Sequence, residues 1–384
     1  MSNPPMSPAA ATPQTFRLIV DNFPFDGPML LPPNVTSLEI SNCTISSGVD
    51  DLMRLLGLLP SLRELSLYGL KGTIPPESLV SQVFALEYLV TLPYLDDLFL
   101  SGELLAQADI FGLFNLSSQA RIKFECVNDN NLEGYSDIGL ERQIHKLSHR
   151  INRRFRHLEP KYNIAELVMH PTQNTFLVRI STQQAVNMLC ILFSSHDPEG
   201  QALPFFVEHL HMLRSAICLS IRPYDFTSSG DVTLELWIER LRNTLWRLKN
   251  VEKLFVQDNI NDIVWDVLRR PIDLHSAVFP KLRELAIIAL DGTVSEMIGG
   301  LADPPLEECV GWRKETLRKI TFSECPDLED SDISRLSKAL DGIAIELHKC
   351  RDYSDSDIDS EGPDSNHTDF GNRRMPIHWS RVSI

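Results

Sequence analysis

The amino-acid sequence predicts an α/β solenoid, in which short strands stack into one parallel sheet and helices lie on its other side. Three observations support this prediction. A short apolar pattern returns along the chain, the segments between its copies are long enough for a helix, and several of those segments have helical periodicity. Because one such unit cannot cover its own apolar side, stacking of neighbouring units must close the core.

The returning pattern is L-x-x-L-x-L-x-x-[N/C], which surrounds one short strand. It is clearest at residues 62–70. Alternate side chains of a strand point to opposite faces, so Leu65 and Leu67 are expected in the core. Ser66 and Tyr68 are then expected to point outward. Further copies are centred on Leu38, Leu98, Leu254, Leu285, Ile320 and Ile345.

The spacing of these copies is uneven, with 27 residues from Leu38 to Leu65 and 35 from Leu285 to Ile320. Units longer than the usual ~20–29 residues leave room for a full helix on the return leg. We therefore predict an irregular leucine-rich-repeat solenoid. A curved parallel sheet forms its concave side, and helices form its convex side.

Helical faces are predicted at 234–248, at 263–268 before Pro271, and at 333–343 behind a capping Ser331. These segments all lie between copies of the repeat, where the return leg of a unit is expected. They support the assignment of a helix to each long unit.

The repeat is weakest at about 126–221, where the solenoid is expected to continue in distorted form. Strands are predicted near 164–169, 176–180 and 217–221, and a helix near 141–157. A loop is expected around 196–200, and the apolar stretch 185–193 is assigned to the core.

One solenoid is predicted to span residues 16–350. A Pro/Ala-rich tail at 1–15 and an acidic tail at 351–384 are expected to be disordered. The alternation of Phe16, Leu18 and Val20 predicts a first strand with an unpaired edge, which folded proteins usually cover or pair.

The last position of the repeat turns the chain, and a short side chain able to bond backbone groups suits this corner. Cys43, Cys325 and Cys350 occupy it, three of the seven cysteines. The cysteines form no C-x-x-C pair, so neither a disulfide framework nor a zinc site is indicated. We expect free, buried thiols.

The overall charge disfavours some classes of binding partner. A formal net charge of -16 argues against broad binding to nucleic acid or to anionic membranes. Residues 1–15 lack the features of a secretory signal, and no apolar stretch approaches the roughly 20 residues of a membrane-spanning helix. An intracellular protein, cytoplasmic or nuclear, is expected.

The segments LPSLRELSLYGL, LKNVEKLFVQDN, FPKLRELAIIALDG and LRKITFSECPDLED resemble the leucine-rich-repeat portion of F-box-associated proteins of mushroom-forming fungi. The resemblance covers most of residues 31–350. It implies a solenoid that selects substrates for a ubiquitin ligase, with an N-terminal F-box that docks a Skp-type linker. The segment LPPNV at 31–35 imitates the opening of an F-box but runs directly into a predicted strand. Binding of the linker is therefore not expected.

The concave face is the expected binding surface, because curved solenoids usually bind through it. Aromatic and apolar side chains at outward positions suggest anchors for a protein partner. Alternatively, loops or tails of the chain itself cover them. The candidate partner-binding residues are Tyr68, Phe99, His170, Arg222, Phe255 and Ile288.

A basic amphipathic helix at 142–156 offers a second interpretation, binding of nucleic acid or phosphate. Given the net charge, the favoured interpretation is a solvated helix paired with the protein's own acidic surface. No third ligand accompanies His209 and His211, so no metal site is predicted. No catalytic or cofactor-binding motif is recognised, and neither an enzyme nor a cofactor is expected.

Overall fold

One open sheet of 13 strands organises the described part of the chain in the computed structural model. The structure describes residues 16–21, 32–42, 45–72, 90–128, 137–156, 164–170, 175–182, 188–195, 202–223, 234–257, 261–269, 277–288, 306–325 and 328–350. The predictions for the tails at 1–15 and 351–384 and for the loop at 196–200 lie outside these residues.

Each predicted copy of the repeat contains one strand, and the chain forms further strands before and between the copies. The strands are β1 (Phe16–Asp21), β2 (Val35–Ser41), β3 (Glu64–Leu70), β4 (Val90–Leu92), β5 (Asp97–Gly102), β6 (Phe114–Leu116), β7 (Arg121–Asn128), β8 (Ile164–His170), β9 (Thr175–Ser181), β10 (Leu189–Ser195), β11 (Cys218–Pro223), β12 (Lys253–Gln257), β13 (Glu284–Ile288), β14 (Lys319–Ser323) and β15 (Ala344–His348). β4 and β6 pair separately, and the other 13 form the large sheet.

Every described helix contributes buried side chains to one core against the sheet. The helices are α1 (Ile45–Gly57), α2 (Leu104–Phe111), α3 (Asp137–Phe155), α4 (Ala202–His209), α5 (His211–Arg214), α6 (Leu234–Leu245), α7 (Asn261–Leu268), α8 (Leu306–Gly311) and α9 (Asp330–Ala339). The helices predicted within 141–157, 234–248, 263–268 and 333–343 are confirmed as α3, α6, α7 and α9.

The cap predicted for α9 is wrong by two residues. Glu329 is the N-cap, and its side chain and that of Asp332 form a reciprocal capping box. The hydroxyl of Ser331 instead donates to the Glu329 carboxylate at 3.2 Å. Because Glu329 and Asp332 together satisfy two free backbone N–H groups at the helix start, the helix begins before Ser331.

The strand order is β1-β2-β3-β5-β7-β10-β9-β8-β11-β12-β13-β14-β15. All neighbours are parallel except β9, which is antiparallel to both β8 and β10. β8, β9 and β10 thus form a meander inserted into the parallel stack. The chain crosses from β7 over α3 to β8, returns through β9 to β10 beside β7, and then crosses over α4 and α5 to β11.

This meander explains why the repeat is weak at about 126–221. The strands predicted near 164–169, 176–180 and 217–221 are confirmed as β8, β9 and β11. An antiparallel strand follows its neighbour through a short turn, so β9 needs no crossover helix. The spacing of a strand-and-helix unit is therefore lost there.

The predicted inward and outward positions are confirmed along the strands. Leu285 and Ile287 are at most 1% exposed, whereas Glu284, Ala286 and Ile288 are half-exposed. Successive strands pair in phase, so each buried residue stacks on buried residues of the neighbouring strands. Complete burial of one such side chain contributes roughly 1.5–3 kcal/mol.

The corners of the repeat use cysteine as predicted. The thiol of Cys350 donates to the carbonyls of His348 and Phe322, each at 3.4 Å. Cys325 bonds the Ser323 carbonyl at 3.2 Å in the same way. Cys43 lies outside the described residues.

The described cysteines are free thiols, as expected, although Cys190 and Cys218 are only half-buried. Burial raises the pKa of Cys309 to about 12 and also raises that of Cys126. Both thiols are therefore neutral at ordinary pH.

Candidate functional site

The outward side chains of the 13-stranded sheet form a surface that we call the open face. The side chains of this face align in rows because neighbouring strands pair in phase. The central row is Ile19, Glu39, Ser66, Phe99, Lys123, Cys190, Arg179, Glu166, Ser220, Phe255, Ala286, Thr321 and Glu346. Most of these residues are half-exposed.

Five of the six predicted binding residues have described side chains, and all five are half-exposed on the open face. The sixth, His170, belongs to β8, but its side chain lies outside the described residues. The structure groups the five into separate clusters along the sheet.

Tyr68 and Phe99 form the first cluster. Their ring centroids are 4.9 Å apart, and the rings are tilted by 54°. The ammonium group of Lys123 lies 4.8 Å from the Phe99 centroid, within the range of a cation–π interaction. The two rings therefore form an aromatic pair with a cation over the face of Phe99.

Phe255 and Ile288 form the second cluster. Phe255 pairs with Ala286, and Gln257 pairs with Ile288, so the two apolar side chains are diagonal neighbours on β12 and β13. Six strand intervals separate Phe255 from Phe99, about 29 Å measured along the sheet. A partner must be at least the size of a small domain, or an extended segment, to contact both clusters.

Between these clusters, Arg222 of β11 belongs to a group of ions that it forms with Glu166 and Arg179 of the meander. The Glu166 carboxylate accepts a hydrogen bond from Arg179 at 2.9 Å and lies 2.8 Å from Nε of Arg222. Burial lowers the pKa of Arg179, but its hydrogen bond to Glu166 and the charge of that carboxylate outweigh burial and raise it. Burial raises the pKa of the neighbouring Cys190 thiol, against the opposing charges of Arg179 and Lys123. The Arg222 guanidinium is thus already paired with Glu166 within this group.

An apolar stripe also crosses the open face of the meander. Leu192 pairs with Leu177, and Leu177 pairs with Val168. Val168 is 4% exposed yet is not part of the core cluster on the helix side, and the two leucines are half-exposed. At these three positions the strands are therefore apolar on the open face as well as on the helix side.

Sequence reasoning missed the stripe and the charges beside it. The stretch 185–193 is predicted to be core, and Leu189, Ile191 and Phe193 are indeed buried, but Leu192 points to the open face. The available signal was the alternation itself, because single charged residues between apolar ones, such as Glu166 and Arg179, mark outward positions. These outward positions can be assembled into a surface only when the neighbours of each strand are known.

The basic helix α3 is amphipathic as predicted, and it buries Ile144, Leu147, Ile151 and Phe155. Several of its polar side chains contact other segments of the same chain. Lys146 forms an ion pair with the buried Asp109, and Arg154 donates to the backbone carbonyls of Leu116 and Ser117. Asn152 bridges α4 and α5 through His209 and His211. These contacts favour a structural role for the helix.

Within the described ranges, no three His, Cys, Asp or Glu side chains are arranged to hold a metal ion. No helix in that part of the chain combines the length and the apolar character needed to cross a membrane.

The fold and the site together define a mixed α/β protein with a large, mostly parallel, open sheet. No model of a known protein family matches the chain, and no curated protein is significantly similar to it.

Proposed function

We propose that this protein is an irregular leucine-rich-repeat solenoid whose open face binds another protein. The main observation in support is the set of half-exposed apolar and aromatic side chains on that face, while the described helices pack on the opposite side. Rigid aromatic anchors surrounded by satisfied polar groups are typical of protein-binding hot spots. The clusters of Tyr68 with Phe99 and of Phe255 with Ile288 are the proposed anchors.

The leucine-rich-repeat assignment rests on the in-phase strands and the cysteine corners. A second recurring feature supports it. Asn42, Glu324 and Lys349 each follow the outward residue that ends a repeat strand, whereas Gly69 follows the outward Tyr68 inside β3, and all four have φ between 54° and 64°. The chain thus turns in the same way at corresponding positions of several units. Its repeats also resemble those of F-box-associated proteins. We therefore propose that the chain is the substrate-recognition part of an F-box-type adaptor.

Charge substitution at the second cluster tests the binding face. We expect Phe255→Asp combined with Ile288→Asp to abolish recovery of partners in affinity purification from cells, because a buried carboxylate would replace each anchor. Both side chains are half-exposed in the free protein, so the melting temperature should change little. Leu58→Asp, at a residue that is 62% exposed outside the sheet, is the matched control and should leave recovery intact. Unchanged recovery by the double variant would exclude this cluster.

We further predict that the chain on its own does not bind a Skp-type linker. Linker docking would need a helical surface, whereas the segment that imitates an F-box opening continues into the strand β2. A pull-down of the purified protein with recombinant linker measures this. A stable complex at micromolar concentration would contradict the prediction and point to a docking mode without the usual helices.

A further inference from the structure

β1 is the first strand of the sheet and pairs only with β2 in the part of the chain that the structure describes. Five large apolar residues in that part are prominently exposed, and β1 carries two of them, Phe16 at 44% and Ile19 at 58%. Its inward Leu18 and Val20 are half-buried, whereas their counterparts in β2 are at most 1% exposed. This end of the core therefore offers both apolar surface and a strand edge.

We propose that β1 pairs antiparallel with β1 of a second copy of the chain, with Ile19 opposite Ile19 on the two-fold axis. In this register Arg17 of each copy faces Asp21 of the other. All three side chains point to the open face. The sequence FRLIVD thus complements itself in charge, because opposite charges lie at equal distances on either side of its central isoleucine.

The same register also suits the inward face and the backbone. Leu18 of one copy faces Val20 of the other, so each copy covers the half-buried core residues at the end of its partner. Every pair in this register joins two odd-numbered or two even-numbered residues. Because N–H and C=O groups of alternate residues point to the same edge, the free groups of both strands meet. Main-chain hydrogen bonds of this kind give strand addition much of its affinity.

The opposite edge of the sheet does not fit itself in this way. The central outward residue of β15 is Glu346, so self-pairing there would place two carboxylates opposite each other. Pairing of β1 with β15 of another copy would place Ile19 opposite Glu346. The β1 edge is therefore the self-complementary one, and it yields a closed dimer instead of a filament. This dimer leaves the open face of each copy free and does not depend on the proposed function.

Sedimentation of the purified chain over a range of concentrations tests the proposal. The expected result is a monomer–dimer equilibrium in the micromolar range, since one six-residue strand edge buries less than a standard interface. Ile19→Lys should raise the dissociation constant roughly tenfold or more, because two like charges would meet on the two-fold axis. Leu58→Lys makes a similar change, from an exposed apolar residue to lysine, outside the sheet, and should leave the dimer unchanged.

Exchange of the two charges tests the register. Arg17→Asp alone would oppose carboxylates, and Asp21→Arg alone would oppose guanidinium groups, so each variant should be monomeric. A one-to-one mixture of the two should dimerise again, because every pair becomes complementary. Each variant also changes a contact within its own chain, Arg17 with Glu39 at 2.8 Å or Asp21 with Asn42 at 3.0 Å. Mixing does not restore those contacts, so recovery on mixing reports pairing between copies.

Apart from the mixing experiment, four results would overturn the proposal. They are a monomer at every concentration, a dimer insensitive to Ile19→Lys, assemblies that grow beyond a dimer, and strong protection from hydrogen exchange, under monomeric conditions, of the β1 N–H groups that point away from β2. The last would show that the chain covers its own edge. Failure of the mixture to associate also counts against it when exchange shows β1 still paired with β2. If a charge variant detaches β1 from β2, the Ile19→Lys variant alone decides whether the proposal holds.

Discussion

Gly102→Ala is expected to destabilise the fold by about 3 kcal/mol or more. Gly102 ends β5 with φ at 142°, a backbone conformation that side-chain-bearing residues rarely adopt. A Cβ atom there would overlap the backbone oxygen and nitrogen of Leu70 and lie 2.8 Å from its Cα. These are backbone atoms of a fully buried residue at the end of β3. They can move only if β3 and β5 separate.

Gly57→Ala is the matched control for this substitution. Gly57 ends α1, and a Cβ atom there would meet no atom within 4 Å. Because alanine loses less conformational freedom on folding, the variant should be more stable by about 0.5–1 kcal/mol. Chemical denaturation of both variants measures the two effects. A cost below about 1 kcal/mol for Gly102→Ala would mean that the junction of β3 and β5 adapts easily.

Leu285→Ala is expected to lower the free energy of unfolding by roughly 2–5 kcal/mol. Leu285 is 1% exposed and lies in β13, with Leu254 and Ile320 directly beside it on the neighbouring strands. Removing its isobutyl group opens a cavity between two neighbours that cannot both move inward. The size of the effect depends on how far the surrounding core collapses into that cavity.

Glu284→Ala, one residue away, should cost less than about 1 kcal/mol. The Glu284 carboxylate is half-exposed and pairs with Lys253 at 3.0 Å on the open face, where solvent screens the pair. Equilibrium unfolding in urea, followed by circular dichroism, compares the two variants. If Glu284→Ala cost more than Leu285→Ala, the register described for β13 would be wrong by one residue, since such a shift exchanges the two faces of a strand.

Local patterns in the sequence were sufficient to predict which residues of a strand or helix are buried. The inward positions of Leu65, Leu67 and Leu285 and the apolar face of α3 could be predicted because periodicity along the chain records burial directly. The cysteine corners could also be predicted, since a small side chain bonds backbone within two residues of itself. The capping of α9 could not, because two acidic residues competed with Ser331 as the helix start.

Only the tertiary structure decided which strands are neighbours and in which direction they run. An alternating apolar pattern is the same in a parallel and an antiparallel strand, so the reversal of β9 leaves no mark on its own sequence. Neighbour choice in turn placed Glu166 between Arg179 and Arg222, and separated Phe99 from Phe255 by six strand intervals. The sequence thus determined the two faces of each strand through local periodicity. The composition of the open face depended on packing between residues far apart in the chain, which local periodicity does not encode.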